Sequence, residues 1–138
     1  MITGRKPSRE AMAKHAADVA LAAQFAESFR AARDAEDALR QAQASRAPLV
    51  ELRERGLALD DALTAVMRSA YAAERVEIGA IGYDDWIYRR KARAKPKVKR
   101  WTAEAERLLT LREEHRLKGI VRVPPHPADW ASESLAGT

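Results

Sequence analysis

A long stretch without glycine or proline lies near the start of the chain and restricts the fold more than any other feature. It runs from Ser8 to the residue before Pro48, and 14 of residues 11–44 are alanine, the strongest helix former. Ser8 is a favourable N-cap residue, and Pro7 precedes it. The sequence therefore predicts one long helix over residues 8–44 and a fold in which helices pack against helices.

The next part of the chain predicts shorter helices separated by residues that favour turns. Pro48 suits the first turn of a short helix that Gly56 ends, and Asp60 can cap the helix that follows. Apolar residues then recur at the spacing of an amphipathic helix, which predicts the central core helix. Asp84 is predicted to cap a further helix that runs to about Ala94, with basic residues at its end. The apolar stripe consists of Leu59, Leu63, Val66, Met67, Ala70 and Tyr71.

A proline and a cap divide the last third of the chain. Pro96 disfavours helical geometry in the residue before it, so residues 95–101 are predicted to form an extended basic linker. Thr102 can cap the next helix, and three prolines predict a Pro-rich, irregular tail over 119–138. The predicted fold class is therefore all-α, a single domain over residues 1–138 built as a bundle of about five helices. The predicted helical segments are 8–44, 48–94 and 102–118.

Composition excludes several kinds of protein. The chain has no cysteine, which excludes disulfides and thiolate metal sites, and its first residues lack the apolar core of a signal peptide. No apolar run approaches the roughly 18 residues that a membrane-spanning helix needs. We therefore expect a cytoplasmic protein that does not bind membranes.

The net charge of +5 is concentrated in one segment. Residues 88–101 read YRRKARAKPKVKRW, and residues 89–100 hold eight cations and no acid, so the rest of the chain carries −3 (5 − 8). A basic cluster on a mildly acidic chain creates a local potential that attracts a polyanion. The eight cations are Arg89, Arg90, Lys91, Arg93, Lys95, Lys97, Lys99 and Arg100.

The alternation of basic and small residues in this segment has a geometric meaning. In extended backbone, side chains two residues apart point to the same side at intervals of about 6.6 Å, so five of the cations would form one row. Such a row suits sequence-independent contacts that neutralise phosphates and release counterions. The row would consist of Lys91, Arg93, Lys95, Lys97 and Lys99.

Three aromatic residues lie in or beside the basic segment: Trp86, Tyr88 and Trp101. Aromatic rings stack on unpaired bases at roughly 1–3 kcal/mol per base, which favours RNA or single-stranded DNA over duplex DNA. In a thin helical core, the two tryptophans would instead serve as core anchors, and the sequence leaves both roles open. The predicted nucleic-acid-binding residues are the eight cations together with Trp86, Tyr88 and Trp101.

No catalytic or metal-binding pattern accompanies the basic segment. The histidines at positions 15, 115 and 126 stand alone, without the spacing of metal ligands. Adjacent acids such as Asp84 and Asp85 do not face each other on a helix, so they make poor paired carboxylates. The sequence therefore predicts a non-enzymatic nucleic-acid-binding protein with no metal and no other cofactor. A protein-interaction adaptor whose basic segment docks on an acidic partner is an alternative from a different class.

Two resemblances accompany this interpretation. Residues 70–92, AYAAERVEIGAIGYDDWIYRRKA, resemble a helix-turn-helix, which implies a DNA-binding protein such as a phage or plasmid regulator or a packaging subunit. That motif reads bases with the start of its second helix, and here those positions are Asp84 and Asp85, which repel phosphate. By its size, its helicity, its lack of cysteine and its one basic segment, the whole chain is similar to the small helical subunits of CRISPR effector complexes. That resemblance implies an RNA-guided nucleoprotein complex without catalytic residues in this chain, with other protein subunits and copies of the chain as partners.

Overall fold

Five α-helices make up most of the described part of the protein. The computed structural model describes residues 6–125 and 127, and these residues contain no β-strand. No helix among them is both long and apolar enough to cross a bilayer. The all-α fold predicted from the sequence is confirmed. The helices are α1 (Arg9–Ala22), α2 (Phe25–Ala44), α3 (Leu49–Ile78), α4 (Trp86–Ala92) and α5 (Pro96–Lys118), with a short 3₁₀ helix (Ala80–Tyr83) before α4.

The central element is α3, which has 30 residues and packs against α1, α2 and α5. Its predicted apolar stripe is buried except at the half-buried Tyr71, and Leu59, Leu63 and Val66 have no solvent exposure (0%). Trp101 of α5 packs edge-on against Phe25 of α2, with ring centroids 5.1 Å apart. The core therefore surrounds α3, and this aromatic pair adds much of its apolar area.

The predicted long N-terminal helix is interrupted at Gln24, between α1 and α2. The carbonyl of Leu21 accepts hydrogen bonds from the hydroxyl of Ser69 in α3 (2.8 Å) and from the backbone N–H of Gln24 (3.1 Å). A new helix then starts at Phe25, whose ring is buried. The prediction of one unbroken helix is wrong at this point, where a contact with α3 accompanies the interruption of a chain whose local preference is helical throughout.

Gly56 lies inside α3 and does not end a short helix. Among the described residues, the glycines with a positive backbone φ angle lie elsewhere, so Gly56 lacks the left-handed geometry that ends many helices. Its carbonyl accepts a hydrogen bond from Nε2 of His115 (2.7 Å). A glycine in a helix interior costs about 1 kcal/mol relative to alanine, which the packing of α3 on α2 and α5 offsets. The predicted break at Gly56 and the predicted cap at Asp60 are therefore wrong. Asp60 instead forms an ion pair with Arg116 (2.7 Å).

The last helix, α5, begins at Pro96 and not at the predicted cap Thr102. Proline suits the first position of a helix, because an N–H there has no intrahelical partner and the ring already fixes a helical φ. Lys95 has the extended backbone that a residue before proline adopts (φ −68°, ψ 139°). The predicted extended linker over 95–101 is therefore wrong beyond its first residue, and the complete burial of Val98 stabilises the helical turn.

After α5, the chain packs across α2 without regular secondary structure. Val121 and Val123 are buried, and Oε1 of Glu36 accepts a hydrogen bond from the backbone N–H of Val123 (2.6 Å). Nη2 of Arg40 donates to the carbonyl of Val121 (3.3 Å). The predicted irregular tail is confirmed as far as residue 125, and residues 126 and 128–138 of that prediction lie outside the described residues.

Candidate nucleic-acid interface

The basic segment forms the corner between α4 and α5, and we call residues 89–100 the basic corner. α4 ends at Ala92, a short turn follows, and α5 begins at Pro96. Ala92 and Val98 are buried together with Ile78 of α3 in a small apolar cluster. This cluster holds the corner against the end of α3, so packing fixes the backbone that carries the charges.

Seven of the eight cations in the basic corner are exposed to solvent. Arg89 is half-buried, and its Nη1 donates a hydrogen bond to the carbonyl of Gly82 (3.3 Å). Within the described part of the chain none of the eight takes part in an ion pair, whereas Arg75 and Arg116 are each paired with an aspartate. The corner therefore presents positive charge that no ion pair neutralises. The seven exposed cations are Arg90, Lys91, Arg93, Lys95, Lys97, Lys99 and Arg100.

The cations surround the corner and do not form the predicted single row. Successive residues of a helix are rotated by about 100°, so Lys97 and Arg100 lie on one side of α5 and Lys99 lies on another. Lys91 belongs to α4, and Arg93 lies in the turn. The predicted row is wrong because residues 96 onward are helical. The charges remain close together as a cluster.

The N-terminus of α5 adds a second source of positive potential. The first backbone N–H groups of a helix have no intrahelical partner, and the helix dipole places partial positive charge at this end. In α5 no side chain caps these groups, and the first turn contains no acid. It contains Lys97 and Lys99, and Arg100 follows directly; these cations repel the dipole and one another. A phosphate bound here would relieve that repulsion and accept from the free N–H groups.

The aromatic residues of the predicted site divide into two kinds. Trp101 is 1% exposed and packs on Phe25, so it belongs to the core, and its prediction as a nucleic-acid-binding residue is corrected. Trp86 and Tyr88 of α4 are 60% and 37% exposed. Trp86 lies one helical turn before Arg90, so an exposed indole ring adjoins the cations. This is the combination that stacking on an unpaired base requires.

The two acids before α4 have structural roles. The carboxylate of Asp84 accepts hydrogen bonds from the backbone N–H (2.6 Å) and the hydroxyl (2.7 Å) of Ser8, which joins the start of α1 to the start of α4. Asp85, and not the predicted Asp84, caps α4 by accepting from the N–H groups of Ile87 and Tyr88 (3.0 Å each). Both carboxylates are therefore engaged with the protein itself, at the positions where a helix-turn-helix would contact bases.

A partly buried polar cluster near the corner was not predicted from the sequence. Asp18 of α1 accepts hydrogen bonds from Nε and Nη2 of Arg75 (2.7 and 3.1 Å) and from the hydroxyl of Tyr83. Burial alone would raise the pKa of Asp18, but the bonds from Arg75 and Tyr83 hold it below its usual value. Burial and the bond to Asp18 raise the pKa of Tyr83. The cluster ties α1 to α3 and to the 3₁₀ helix that leads into α4, and no periodic pattern marks a pair 57 residues apart.

Neither a metal site in the described residues nor a known relative indicates the function. The described residues contain no group of three or more side chains that could hold a metal ion. Comparison with protein-family models, curated protein sequences and solved structures finds no match to this chain. Any assignment of function therefore rests on the chemistry of the basic corner.

Proposed function

We propose that the protein binds the phosphate backbone of RNA or single-stranded DNA at the basic corner, without strong sequence preference and without catalysis. The observation that carries this proposal is the cluster of seven exposed cations, of which none takes part in an ion pair within the described residues. Cations that neutralise phosphates release bound counterions, and this release supplies most sequence-independent affinity for nucleic acids. A polyanion is thus the partner that the charge distribution favours.

The arrangement of the cations supports backbone contacts better than base reading. They come from the end of α4, the turn and the start of α5, so several phosphates of one strand can be contacted together. Lysine acts on phosphate as a mobile point charge, and four of the seven exposed cations are lysines. α4 has only seven residues and follows two acids, so it is poorly suited to enter a major groove.

The exposed ring of Trp86 favours single strands over duplex. An unpaired base can stack on the indole while the adjoining phosphates contact Arg90 and the rest of the corner. In a duplex the bases are already stacked on one another, so this contribution is lost. Tyr88 offers a second, less exposed ring on the same helix.

The proposal includes a cellular role of the kind that the resemblance to CRISPR effector subunits implies. In it, the chain is a small structural subunit of a nucleoprotein assembly, with a nucleic-acid strand, other protein subunits and copies of itself as partners. The all-α fold and the exposed basic corner support this role. A helix-turn-helix regulator and an adaptor for an acidic protein are the alternatives that experiment must separate.

Fluorescence anisotropy with labelled single-stranded RNA, single-stranded DNA and duplex DNA of equal length tests the proposal. We expect both single strands to bind with similar affinity across unrelated sequences, and the duplex to bind more weakly. A strong preference for one duplex sequence would identify a regulator. Absence of binding to all three, with retained binding to an acidic protein, would identify an adaptor.

A matched pair of triple variants assigns the binding to the corner. Replacing Lys97, Lys99 and Arg100 with alanine should weaken binding at least about tenfold, because three phosphate contacts are lost. Replacing three exposed arginines elsewhere removes the same charge and should change affinity far less. The control positions are Arg30, Arg33 and Arg68.

Anionic vesicles provide a further comparison, since an exposed tryptophan beside cations also suits a membrane surface. We expect vesicles of phosphatidylcholine and phosphatidylserine to bind more weakly than the single strands. Tighter binding to the vesicles would contradict the proposed function.

A further inference from the structure

Trp86 lies at the end of α4 that is farther from the buried end of this helix. Among the seven described residues of α4, Ala92 is the one that is buried. Trp86 precedes it by six residues, which is about 9 Å along the helix axis, and is 60% exposed. Burial therefore fixes one end of α4, and the residues before Trp86 set the position of its ring.

Tyr83, which precedes this ring by three residues, is held by α1. Its hydroxyl donates a hydrogen bond to the carboxylate of Asp18, and its ring packs edge-on against His15 with 6.3 Å between ring centroids. Asp18 is itself held in place, because Nε and Nη2 of Arg75 donate to the same carboxylate (2.7 and 3.1 Å). Tyr83 is therefore connected to both α1 and α3.

A second connection joins α1 to Asp84, the residue after Tyr83. The backbone N–H and the hydroxyl of Ser8 both donate to the carboxylate of Asp84 (2.6 and 2.7 Å). Successive residues of a helix are rotated by about 100°, so Ser8, His15 and Asp18 lie within an arc of about 80° around α1. One side of α1 thus contacts the segment that leads into α4 at three points.

The 3₁₀ helix before α4 also packs closely against the end of α3. Gly82 lies so near Ile78 that a Cβ added to this glycine would be 2.6 Å from Cγ2 of the isoleucine. From α4, Nη1 of Arg89 donates to the carbonyl of Gly82 (3.3 Å). Contacts with α1 and α3 therefore hold the 3₁₀ helix, and the 3₁₀ helix holds the start of α4.

We propose that Tyr83 and Asp18 are positioning residues for the stacking of a base on Trp86, although neither of them touches the nucleic acid. This inference rests on the proposed function. A ring that is held in place before binding does not have to be ordered when the strand arrives, which strengthens binding. The cations at the start of α5 do not depend on this support, because the buried Val98 and Trp101 anchor that helix.

Tyr83→Phe in the full chain tests the positioning role, because it removes the hydrogen bond to Asp18 and leaves the net charge unchanged. Fluorescence anisotropy with labelled single-stranded RNA should show an affinity about three- to tenfold lower, which is part of what one stacked base contributes. Tyr71→Phe is the matched control: it removes a hydroxyl from a half-buried tyrosine of α3 and should bind like the wild type.

A double-mutant cycle with Trp86→Ala separates positioning from a general loss of stability. In the Trp86→Ala background, Tyr83→Phe should change the affinity by less than about twofold, because no ring is left to position. An abasic strand of the same length should bind the wild type and Tyr83→Phe equally, since it has phosphates but no base to stack. A merely structural role of Tyr83 would weaken binding in all of these measurements.

Ser8→Gly provides a second variant that also leaves the net charge unchanged. It removes the hydroxyl bond to Asp84, and glycine retains most of the stabilising effect of the cap. This variant should also lose affinity for the RNA, and again only where Trp86 is present. Circular dichroism of both variants should show unchanged helical content.

The results that contradict this inference differ from those that contradict the proposed function. Binding that depends on Trp86 but is unchanged in Tyr83→Phe and Ser8→Gly would overturn the inference alone. An equal loss with and without Trp86 would also overturn it, because Tyr83 would then be only structural. If Trp86→Ala bound like the wild type, stacking and its positioning would both be excluded. Absence of single-strand binding by the wild type would overturn the proposed function and the inference together.

Discussion

Replacing Trp101 with alanine should strongly destabilise the fold, because this residue is a core anchor. Its side chain is 1% exposed, and its ring packs at 89° on the ring of Phe25 with 5.1 Å between centroids. Truncating a buried tryptophan to alanine costs about 3–5 kcal/mol, of which the edge-on ring pair contributes about 0.5–1.5 kcal/mol. A domain of ordinary stability unfolds with only about 5–15 kcal/mol, so the variant should lose a large fraction of its stability.

Urea denaturation followed by far-ultraviolet circular dichroism measures this loss, since the ellipticity reports on the helices and depends little on the indole. With a slope of about 1.5 kcal/mol per molar urea, a loss of about 4 kcal/mol lowers the midpoint by roughly 2.5 M. Trp86→Ala is the matched control: the same side chain is removed from a position that is 60% exposed. We expect Trp86→Ala to lower the free energy of unfolding by less than about 1 kcal/mol. Equal losses in the two variants, or a loss below about 1 kcal/mol for Trp101→Ala, would refute the assigned roles.

Two further predictions concern a helix and a buried carboxylate. Gly56→Ala should raise the free energy of unfolding by up to about 1 kcal/mol, because Gly56 is helical and no atom lies within 4 Å of the added Cβ. A loss of stability in urea denaturation would show instead that Gly56 ends a helix. Asp18→Asn should cost about 1–3 kcal/mol near neutral pH, since Arg75 and Tyr83 lose a charged acceptor. The pKa of Asp18 is lowered in the folded state from 3.8, so this stabilisation is present above that pH and lost as the pH falls below it. The melting temperatures of the wild type and Asp18→Asn should therefore approach each other as the pH falls below about 4. A difference in melting temperature that stays constant with pH would contradict this role of Asp18.

The sequence predicts those parts of the fold that local physics determines. The spacing of Leu59, Leu63 and Val66 places them on one face of a helix, and all three are buried in α3. The alanine-rich stretch is helical on both sides of Gln24, as its composition requires. Here the intrinsic preference of the backbone and the packing of the core favour the same structure.

The predictions fail at residues whose secondary structure depends on tertiary contacts. Proline disfavours a helix before it and favours one after it, and at Pro96 the burial of Val98 and Trp101 selects the second effect. Gly56 suits a helix end, but packing along α2 and α5 keeps it helical. The interruption at Gln24 accompanies a bond to Ser69, a residue distant in sequence.

The sequence predicts the charges of the candidate site but not how they are arranged in space. Eight cations without an acid are visible in residues 89–100, and seven of them are exposed. Their geometry as a cluster depends on the helical start of α5, which the alternating pattern obscures. Trp86 and Trp101 look alike in sequence, and only their packing separates an exposed ring from a core anchor.

The salt dependence of single-strand binding tests the central claim most directly. If five to seven cations of the basic corner contact phosphates, the slope of log affinity against log salt should lie between about −3.5 and −5. Replacing Lys95, Lys97, Lys99 and Arg100 with alanine should make that slope shallower by about 3, while helical content stays unchanged. A flat salt response, or a wild-type slope retained in the variant, would contradict binding at the basic corner.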